Sequence, residues 1–518
     1  MKVAVEGCAH GELDKIYEAV KFLEKENNMK IDLLIICGDF QAVRNPADLH
    51  CMAVPPKYRK LNTFYKYYSG AKIAPVLTIF IGGNHEASNY LSELSYGGWV
   101  CPNIFYMGYA NVINVGGIRI AGLSGIYKGR DYLRGHFECP PYDESSKKSV
   151  YHVRNIDVFR LKQIKSPIDI CISHDWPRTV YNYGNKEDIL RWKPFFRKEM
   201  ENNKLGSQPA EELLYKLKPA YWFSAHLHCK FAAVIPHQNS EGNTYTKFLA
   251  LDKCLPRRNY LQVLEIGSKS EAVDIKYDPE WLHILQTTDH LLNTSKKCVY
   301  MPGPGGKEKW DYTPSKEDIQ KIAELFKGDF KVPNNFSITA PTYHNSQTSN
   351  DFTVKNYINP QTTSFCNILN ITDPFAVVCN NDGESLNISG LSSTGLDFSC
   401  STVSSSNPDE ISLSDIEDTT EVLSPKNDDL DVSDSTDFFI DTVGSNVSPN
   451  VQKFLKTQLC STPIPKFNID SDFHFPEIKE ENIPNNNEKR KSDEEEQPVR
   501  IFKRRNWSLY KSEEDGSA

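Results

Sequence analysis

The chain has 518 residues, a formal net charge of -9 and 39% hydrophobic residues, which is enough for one large folded domain or two ordinary ones. This mildly acidic balance excludes nucleic-acid binding through overall charge, so any surface for a polyanion must be local. The 13 cysteines form no Cys-x-x-Cys pair, and neither a signal peptide nor a membrane span stands out. We therefore expect a soluble nuclear or cytosolic protein in a reducing compartment.

Short β-branched runs in the N-terminal half predict buried strands, because each run ends in glycine or polar residues. Apolar residues at helical spacing predict a helix over Leu13 to Glu26, and Gly116-Gly117 is a plausible hairpin turn. The pattern favours layered α/β architecture. The predicted strands are KVAVEG, DLLIICGDF, VLTIFIGGNHE, ANVINVGG, IRIAGLSG, DICISHDWP and YWFSAHLH.

The C-terminal half predicts two more strands, TKFLALDK and YLQVLEIG, and the helix-like stretches WLHILQTTDHLL and SKEDIQKIAELFKG. We assign residues 1–235 to a catalytic domain and 236–374 to a part that completes the fold. Residues 375–518 are rich in Ser, Asn and Asp and predict a disordered tail, because too few large apolar residues offset the entropy of ordering.

Two basic clusters in the tail, Lys489 to Lys491 and Lys503 to Arg505, are typical of a bipartite nuclear localisation signal, so we expect a nuclear location. Ser-Pro and Thr-Pro pairs also lie in the tail, at Ser424, Ser448 and Thr462. These pairs suit phosphorylation and partner binding. The alternative is that the tail is only a solubilising extension.

Side chains able to bind metal follow five of the predicted strands. In open α/β sheets the strand ends converge on one crevice where ligands bind. Histidine, carboxylate, amide oxygen and thiolate together suit zinc, iron(II) and manganese, and paired ions serve phosphoester hydrolysis. Each residue alone is weak evidence, but the ordered set is strong. The set is Cys8, His10, Asp39, Asn84, His85, His174, His226 and His228.

These residues stand in blocks that resemble the calcineurin-like metallophosphoesterase family. The blocks are Cys8-Ala9-His10, Gly38-Asp39, Gly83-Asn84-His85-Glu86, His174 and Ala225-His226-Leu227-His228. The resemblance implies a layered β-sandwich with flanking helices. Two departures stand out, since Ala225 replaces a glycine and Cys8 replaces an aspartate. A Cys8 thiolate would favour iron(II) or zinc over magnesium, whereas a small buried residue is the alternative interpretation.

Longer blocks, among them VEGCAHGELDKIY, ICGDFQAVRNPADL, YGGWVCPNIFYMG and SAHLHCKF, resemble the RNA-debranching subfamily from residue 1 to about residue 373. The resemblance implies hydrolysis of the 2′,5′-phosphodiester at the branch point of excised intron lariats. One or two divalent ions (Fe2+, Zn2+ or Mn2+) would activate a hydroxide that attacks phosphorus, with His85 as the general acid. No membrane and no small-molecule cofactor are expected.

The same resemblance implies two metal pockets that share Asp39 as a bridging ligand. The first would hold an ion through His10, Asp39 and His228, with Cys8 nearby. The second would use Asp39, Asn84, His174 and His226. Asp175 suits either an orienting contact to a ligating imidazole or a simple turn, so we leave it outside the site.

Substrate choice requires residues beyond the metal ligands, and the segment from Tyr127 to Arg154 interleaves basic and aromatic side chains. Basic groups hold phosphates while aromatic rings stack on unpaired bases. The resemblance implies that this segment is a lariat recognition loop, and the alternative is a solvated surface loop. The predicted RNA-binding residues are Lys128, Arg130, Tyr132, Arg134, His136, Phe137 and Tyr142, supported by Lys147, Lys148, Tyr151, His152 and Arg154.

Two rival functions follow from the same residues. A metallophosphoesterase of other specificity, such as a 3′,5′-nuclease or a protein phosphatase, would use the same metal ligands. A binding scaffold that kept the fold and lost catalysis predicts gaps among those ligands. Only Cys8 is irregular, and His85, which a scaffold has no need to retain, is present.

Overall fold

The computed structural model describes residues 1–239, 242–268, 272–344, 347 and 352–381. Strands in this part are β1 Lys2–Glu6, β2 Leu33–Ile36, β3 Leu77–Phe80, β4 Gly98–Cys101, β5 Ile104–Tyr106, β6 Ala110–Val115, β7 Ile118–Leu123, β8 Ile170–Ser173, β9 Tyr221–Ser224, β10 Phe231–Asn239, β11 Gly242–Ala250, β12 Leu261–Glu265 and β13 Ile275–Tyr277.

The helices are α1 Leu13–Glu26, α2 Phe64–Tyr68, α3 Ser88–Ser92, α4 Gly129–Tyr132, α5 Ser146–Ser149, α6 Asn155–Lys162, α7 Lys186–Trp192, α8 Arg197–Glu201, α9 Gln208–Leu217, α10 Pro279–Thr287, α11 Lys316–Leu325, α12 Pro360–Leu369 and α13 Pro374–Asn381. Short 3₁₀ turns lie at Asp48–Cys51, Pro56–Tyr58, Val180–Tyr183, Pro194–Phe196 and Asp289–Leu291.

Two mixed sheets carry the fold. The first has the order β12-β1-β2-β3-β5-β4 and the second has the order β10-β11-β9-β8-β7-β6-β13. Strands β1, β2, β3 and β5 run parallel in the first sheet, and β7, β8, β9 and β11 run parallel in the second. Because parallel strands end at the same edge, each sheet presents the loops after its central strands together.

Alternation along the strands explains why the sheets pack face to face. Val3, Val5 and Ile35 share one buried cluster with Ile120 and Ile172 of the second sheet. The intervening residues of the first sheet point the other way and join a cluster with helices α1 and α2. Successive side chains of a strand face opposite sides, so strands with both faces covered read as continuous apolar runs.

Several predicted elements are confirmed. Helix α1 spans Leu13–Glu26 as expected, and it buries Leu13, Ile16 and Val20. The Gly116-Gly117 turn connects β6 to β7, which pair antiparallel from Val115 and Ile118. Both glycines have positive φ, the conformation that a tight two-residue hairpin requires. The layered architecture with flanking helices is therefore as predicted.

The predicted boundary of the tail at residue 375 falls too early. Helix α13 begins at Pro374, Phe375 and Val378 are buried, and the carboxylate of Asp373 accepts the first free N–H groups of the helix. The amino-acid composition did not predict this helix, because two buried apolar side chains and an N-terminal cap are enough to order it. The two basic clusters and the Ser-Pro and Thr-Pro pairs lie outside the described residues. Within the described part, no helix has the length and apolarity needed to cross a membrane.

Candidate metal centre

The predicted metal ligands meet at the carboxyl ends of five strands. Cys8 and His10 follow β1, Asp39 follows β2, and Asn84 follows β3. These strands are neighbours in the first sheet. From the second sheet, His174 follows β8, and both His226 and His228 follow β9, its neighbour. The two sheets therefore deliver their loops to one site.

Four of these side chains lie close enough to share one ion. Cys8, His10, Asp39 and His228 each offer a donor atom, and these atoms all lie within 4.8 Å of one another. The Nε2 atoms of His10 and His228 are 3.3 Å apart, and His10 Nε2 lies 3.8 Å from Asp39 Oδ2. Two ligands about 2.05 Å from a tetrahedral ion lie ~3.3 Å apart, so this donor set fits a metal ion.

A second group forms on the other side of Asp39. His174 Nε2 lies 3.3 Å from Asp39 Oδ1 and 3.2 Å from Asn84 Oδ1. The rings of His174 and His226 have centroids 5.0 Å apart. His174 Nδ1 donates a hydrogen bond to the carbonyl of Cys37 at 2.8 Å, which leaves Nε2 as the ligating atom. The two oxygens of Asp39 therefore face two groups of ligands.

The protonation states suit metal binding. Burial, with the neighbouring His228 and His85, lowers the pKa of His10 to about 3. Burial likewise lowers the pKa of His174 and takes that of His226 well below its ordinary value. Burial alone would raise the pKa of Asp39, but the imidazoles of His174 and His85 hold it well below its usual range. Neutral imidazoles around an ionised carboxylate are the forms that bind divalent metals.

Strained backbone positions these side chains. His10, Asp39, His226 and His228 all have positive φ, between 44° and 60°. This conformation is costly for residues with a side chain and concentrates at functional sites. Such strain persists only where the surrounding packing imposes it, so the site is built by the fold around it.

Two glycines, Gly83 and Gly38, make very close approaches in the centre. A Cβ atom at Gly83 would lie 2.2 Å from Asp39 Oδ1 and 2.8 Å from His174 Cε1. At Gly38 a Cβ atom would lie 2.2 Å from His174 Nδ1. Both glycines are therefore needed because Asp39 and His174 occupy the space of a side chain.

Cys8 belongs to the cluster. Its side chain is buried, and Sγ accepts the backbone N–H of His226 at 3.3 Å. Burial and the charge of Asp39 raise the pKa of the thiol well above its ordinary value. The Sγ atom thus lies among the ligand atoms of the first group, where a bound cation would favour the thiolate.

His85 lies beside the cluster and is partly exposed. Its Nδ1 is 3.4 Å from Asp39 Oδ2, and its backbone N–H donates to Asp39 Oδ1 at 2.8 Å. Its ring centroid is 5.5 Å from that of His10, and 17% of the side chain is accessible. The ring therefore combines a fixed orientation with access for a substrate.

Sequence reasoning missed two groups that support the centre. The Glu86 carboxylate accepts backbone N–H groups of Phe40, Gln41 and Gly83, each within 2.9 Å, and so joins the loops after β2 and β3. Burial raises the pKa of Glu86 to about 8. Gln41 Nε2 lies 3.2 Å from His10 Nδ1, which fixes the other nitrogen of a ligating ring. The Gly-Asn-His-Glu block contained Glu86, but its partners are distant in sequence.

The segment from Tyr127 to Arg154 is an internally bonded loop, and only part of it can reach RNA. Arg130 is exposed over 70% of its side chain. Lys128, Tyr132, Arg134 and Phe137 are partly or half buried. These five residues bring both cations and rings at least partly to the surface, and Arg130 and Arg134 both pair with Asp131 there.

The other two predicted RNA-binding residues are buried, so those predictions are wrong. His136 pairs with Asp157 at 2.9 Å and stacks on Tyr109 with ring centroids 3.8 Å apart. Tyr142 is buried beside Cys51. Neither ring can stack on a base, because protein already covers it.

Two further residues of the segment are structural. His152 Nδ1 lies 2.7 Å from Asp131 Oδ2, and the buried Arg154 guanidinium pairs with Glu138 at 2.6 Å. A count of basic residues overstated the RNA surface because it omitted the acidic partners. Asp175 accepts the N–H of Tyr127 at 3.4 Å, so its contact is with the start of this loop.

Comparison with known proteins agrees with this architecture. Residues 1–230 match the calcineurin-like phosphoesterase family model, and residues 243–374 match the model described as lariat debranching enzyme, C-terminal domain. The chain is 54% identical to the human protein named lariat debranching enzyme over 442 residues, covering 82% of this chain and 81% of the relative.

Two other relatives carry the same name. The mouse protein is 57% identical over 378 residues, covering 72% of this chain and 69% of the relative. The Arabidopsis thaliana protein is 49% identical over 371 residues, covering 72% of this chain and 86% of the relative.

Proposed function

This chain belongs to the lariat debranching enzyme family, and we propose that its metal centre hydrolyses the 2′,5′-phosphodiester at the branch point of excised intron lariats. The family makes the chain a metal-dependent phosphodiesterase with a calcineurin-like fold. The observation that supports the proposal best is the meeting of six ligand-type side chains around Asp39, with His85 beside them.

The residues divide by the atoms they present. His10, His228 and Cys8 would hold one divalent ion against Asp39 Oδ2, and Asn84, His174 and His226 would hold a second against Oδ1. Divalent ions in such sites lower the pKa of bound water and neutralise phosphoryl charge. Four of the ligands, Cys8, Asp39, His174 and His228, are buried, so charges at this centre would act in surroundings of low dielectric, where they are strong.

His85 is the residue placed to move a proton. Its Nδ1 faces Asp39, so Nε2 is the nitrogen that would donate a proton to the departing 2′-oxygen. The Asp39 carboxylate and the hydrogen bond from the His85 backbone fix the ring for this task. Opening the lariat in this way would give one linear RNA, with a restored 2′-hydroxyl on the branch nucleotide and a phosphate at its 5′ end.

We propose iron(II), zinc or manganese as the ions, one or two per chain. Imidazole and thiolate ligands favour iron and zinc over magnesium, and the position of Cys8 Sγ in the first group supports that order. The carboxylate and amide oxygens of the second group are compatible with manganese.

Branch recognition is assigned to the exposed part of the loop. Arg130, Arg134 and Lys128 would contact phosphates, and Tyr132 and Phe137 would stack on unpaired bases. Recognition of unpaired RNA through stacking and cations is general for such surfaces.

We also propose a nuclear location, because intron lariats arise in the nucleus and the chain carries basic clusters near residues 490 and 504. Imaging of a tagged chain in which these clusters are neutralised tests this proposal.

A gel assay tests the debranching proposal. The purified chain is loaded with iron(II), zinc or manganese and given a branched RNA, its 3′,5′-linked counterpart and a phosphopeptide. We expect cleavage of the branched RNA alone and complete loss with a chelator. Equal cleavage of the linear RNA, or release of phosphate from the peptide, would assign the centre to another phosphoesterase activity.

A further inference from the structure

An exposed aromatic residue stands among cations on the short helices between β8 and β9. Trp192 ends α7 with 76% of its surface exposed, and Phe195, three residues later, is 42% exposed. Lys193, Arg197 and Lys198 lie in the same stretch, and residues 192–198 contain no acidic side chain. Exposed rings beside cations are the combination of side chains that binds unpaired RNA.

The buried side of this stretch belongs to the core cluster that also reaches the ligand loop. Ile189, Leu190 and Phe196 are members of this large cluster, and so is Leu227, the residue between His226 and His228. Gly184, just before α7, forms an isolated bridge with Ala233, just after that loop. The chain segment that leads into α7 is therefore fixed beside the strand that follows the two ligands.

Electrostatic interactions link this stretch to the ligand loop on one side and to the recognition loop on the other. Lys193 and Arg258 both act electrostatically on Cys229, the residue after His228. Glu199, on α8, acts on Lys128 at the start of the loop. The stretch thus adjoins both the ligand loop and the predicted RNA surface.

We propose that Trp192, Lys193 and Arg197 form a subsite for an unpaired RNA strand that leaves the branch point. The indole would stack on one base, and the two cations would contact the flanking phosphates. The exposed rings beside cations and the nearby phosphodiester site favour RNA over a protein as the occupant. This subsite rests on the debranching function proposed above and extends the substrate contacts beyond the loop of residues 127–154.

The test compares two branched RNAs, one with long single-stranded arms and one trimmed to a single nucleotide beyond the branch on each arm. Trp192→Ala should raise KM for the long-armed RNA about ten-fold, the size of one lost base stack. It should leave kcat, and both constants for the trimmed RNA, unchanged. Trp192→Phe should restore most of the affinity because it keeps an aromatic face.

Two further variants sharpen the result. Lys193→Gln should reduce the slope of log KM against log salt concentration by about 0.7, the value for one phosphate contact on single-stranded RNA. Trp310→Ala is the matched control, since Trp310 is also 43% exposed and lies on the segment that contacts Gln163 through Tyr312. It should match the wild type on both RNAs.

Three outcomes would overturn the subsite. The first is wild-type kinetics of Trp192→Ala on the long-armed RNA, which would leave a protein partner as the occupant of the surface around Trp192. An equal change on the trimmed RNA would mean that the variant disturbs the metal centre. Failure of the wild-type chain to cleave either RNA would refute the debranching proposal itself, and the subsite with it.

Discussion

Substitution of Gly83 by alanine tests whether close packing of the backbone against Asp39 sets the geometry of the metal centre. The new Cβ atom would lie 2.2 Å from Asp39 Oδ1, whereas ordinary contact begins near 3.4 Å, so the two groups must separate by about 1.2 Å. Asp39 Oδ1 also accepts the His85 N–H and lies 3.3 Å from His174 Nε2. Functional geometry tolerates only about 0.5 Å, so the shift disrupts both groups of ligands.

We expect Gly83→Ala to lower the free energy of unfolding by about 1–3 kcal/mol, as overpacking does, and to weaken metal binding by at least about ten-fold. Gly82→Ala is the matched control, because its Cβ atom would meet Leu91 Cδ1 at 3.4 Å and nothing closer. Denaturant unfolding of both variants gives the stability, and metal titration followed by elemental analysis gives the affinity. Wild-type metal affinity in Gly83→Ala would refute the packing argument. An equal loss of stability and of metal affinity in Gly82→Ala would refute it as well.

The remaining predictions concern the ligands and the proton donor. Asn84→Ala and His226→Ala should reduce metal content and debranching together, measured by elemental analysis and gel assay; full activity with normal metal content would remove them from the ligand set. His85→Ala should retain the metal and lower turnover about 10²- to 10⁴-fold, and loss of its metal would show that the proton-donor role is wrong. Cys8→Asp should raise affinity for manganese and magnesium relative to zinc; competition titrations that show an unchanged preference would remove the argument from thiolate softness.

Strand ends and the ligand set were predictable because they depend on local pattern. Apolar runs that stop at glycine or polar residues mark where strands end, and parallel order brings those ends together. His10, Asp39 and His226 could therefore be assigned to one crevice from the sequence. Their positive φ angles could not, because tertiary packing imposes that conformation and no residue type signals it.

The loop shows where reading by composition fails. The composition of the segment predicts RNA contacts for His136 and Arg154, because they are a ring and a cation among other basic and aromatic residues. Their partners, Asp157 and Glu138, lie 21 and 16 residues away, and a buried ion pair is not distinguishable from a free charge in the sequence. Trp192 was missed for the converse reason, since a single exposed ring at a helix end carries no periodic signal.

The most direct test of the account uses one RNA molecule that carries a 2′,5′ branch among ordinary 3′,5′ linkages. The products of limited digestion by the metal-loaded chain are identified by mass spectrometry. We predict a single cut, with a 5′-phosphate on the released arm and a 2′-hydroxyl on the branch nucleotide. Cuts at 3′,5′ linkages at a similar rate, or a phosphate left on the 2′-oxygen, would contradict this prediction.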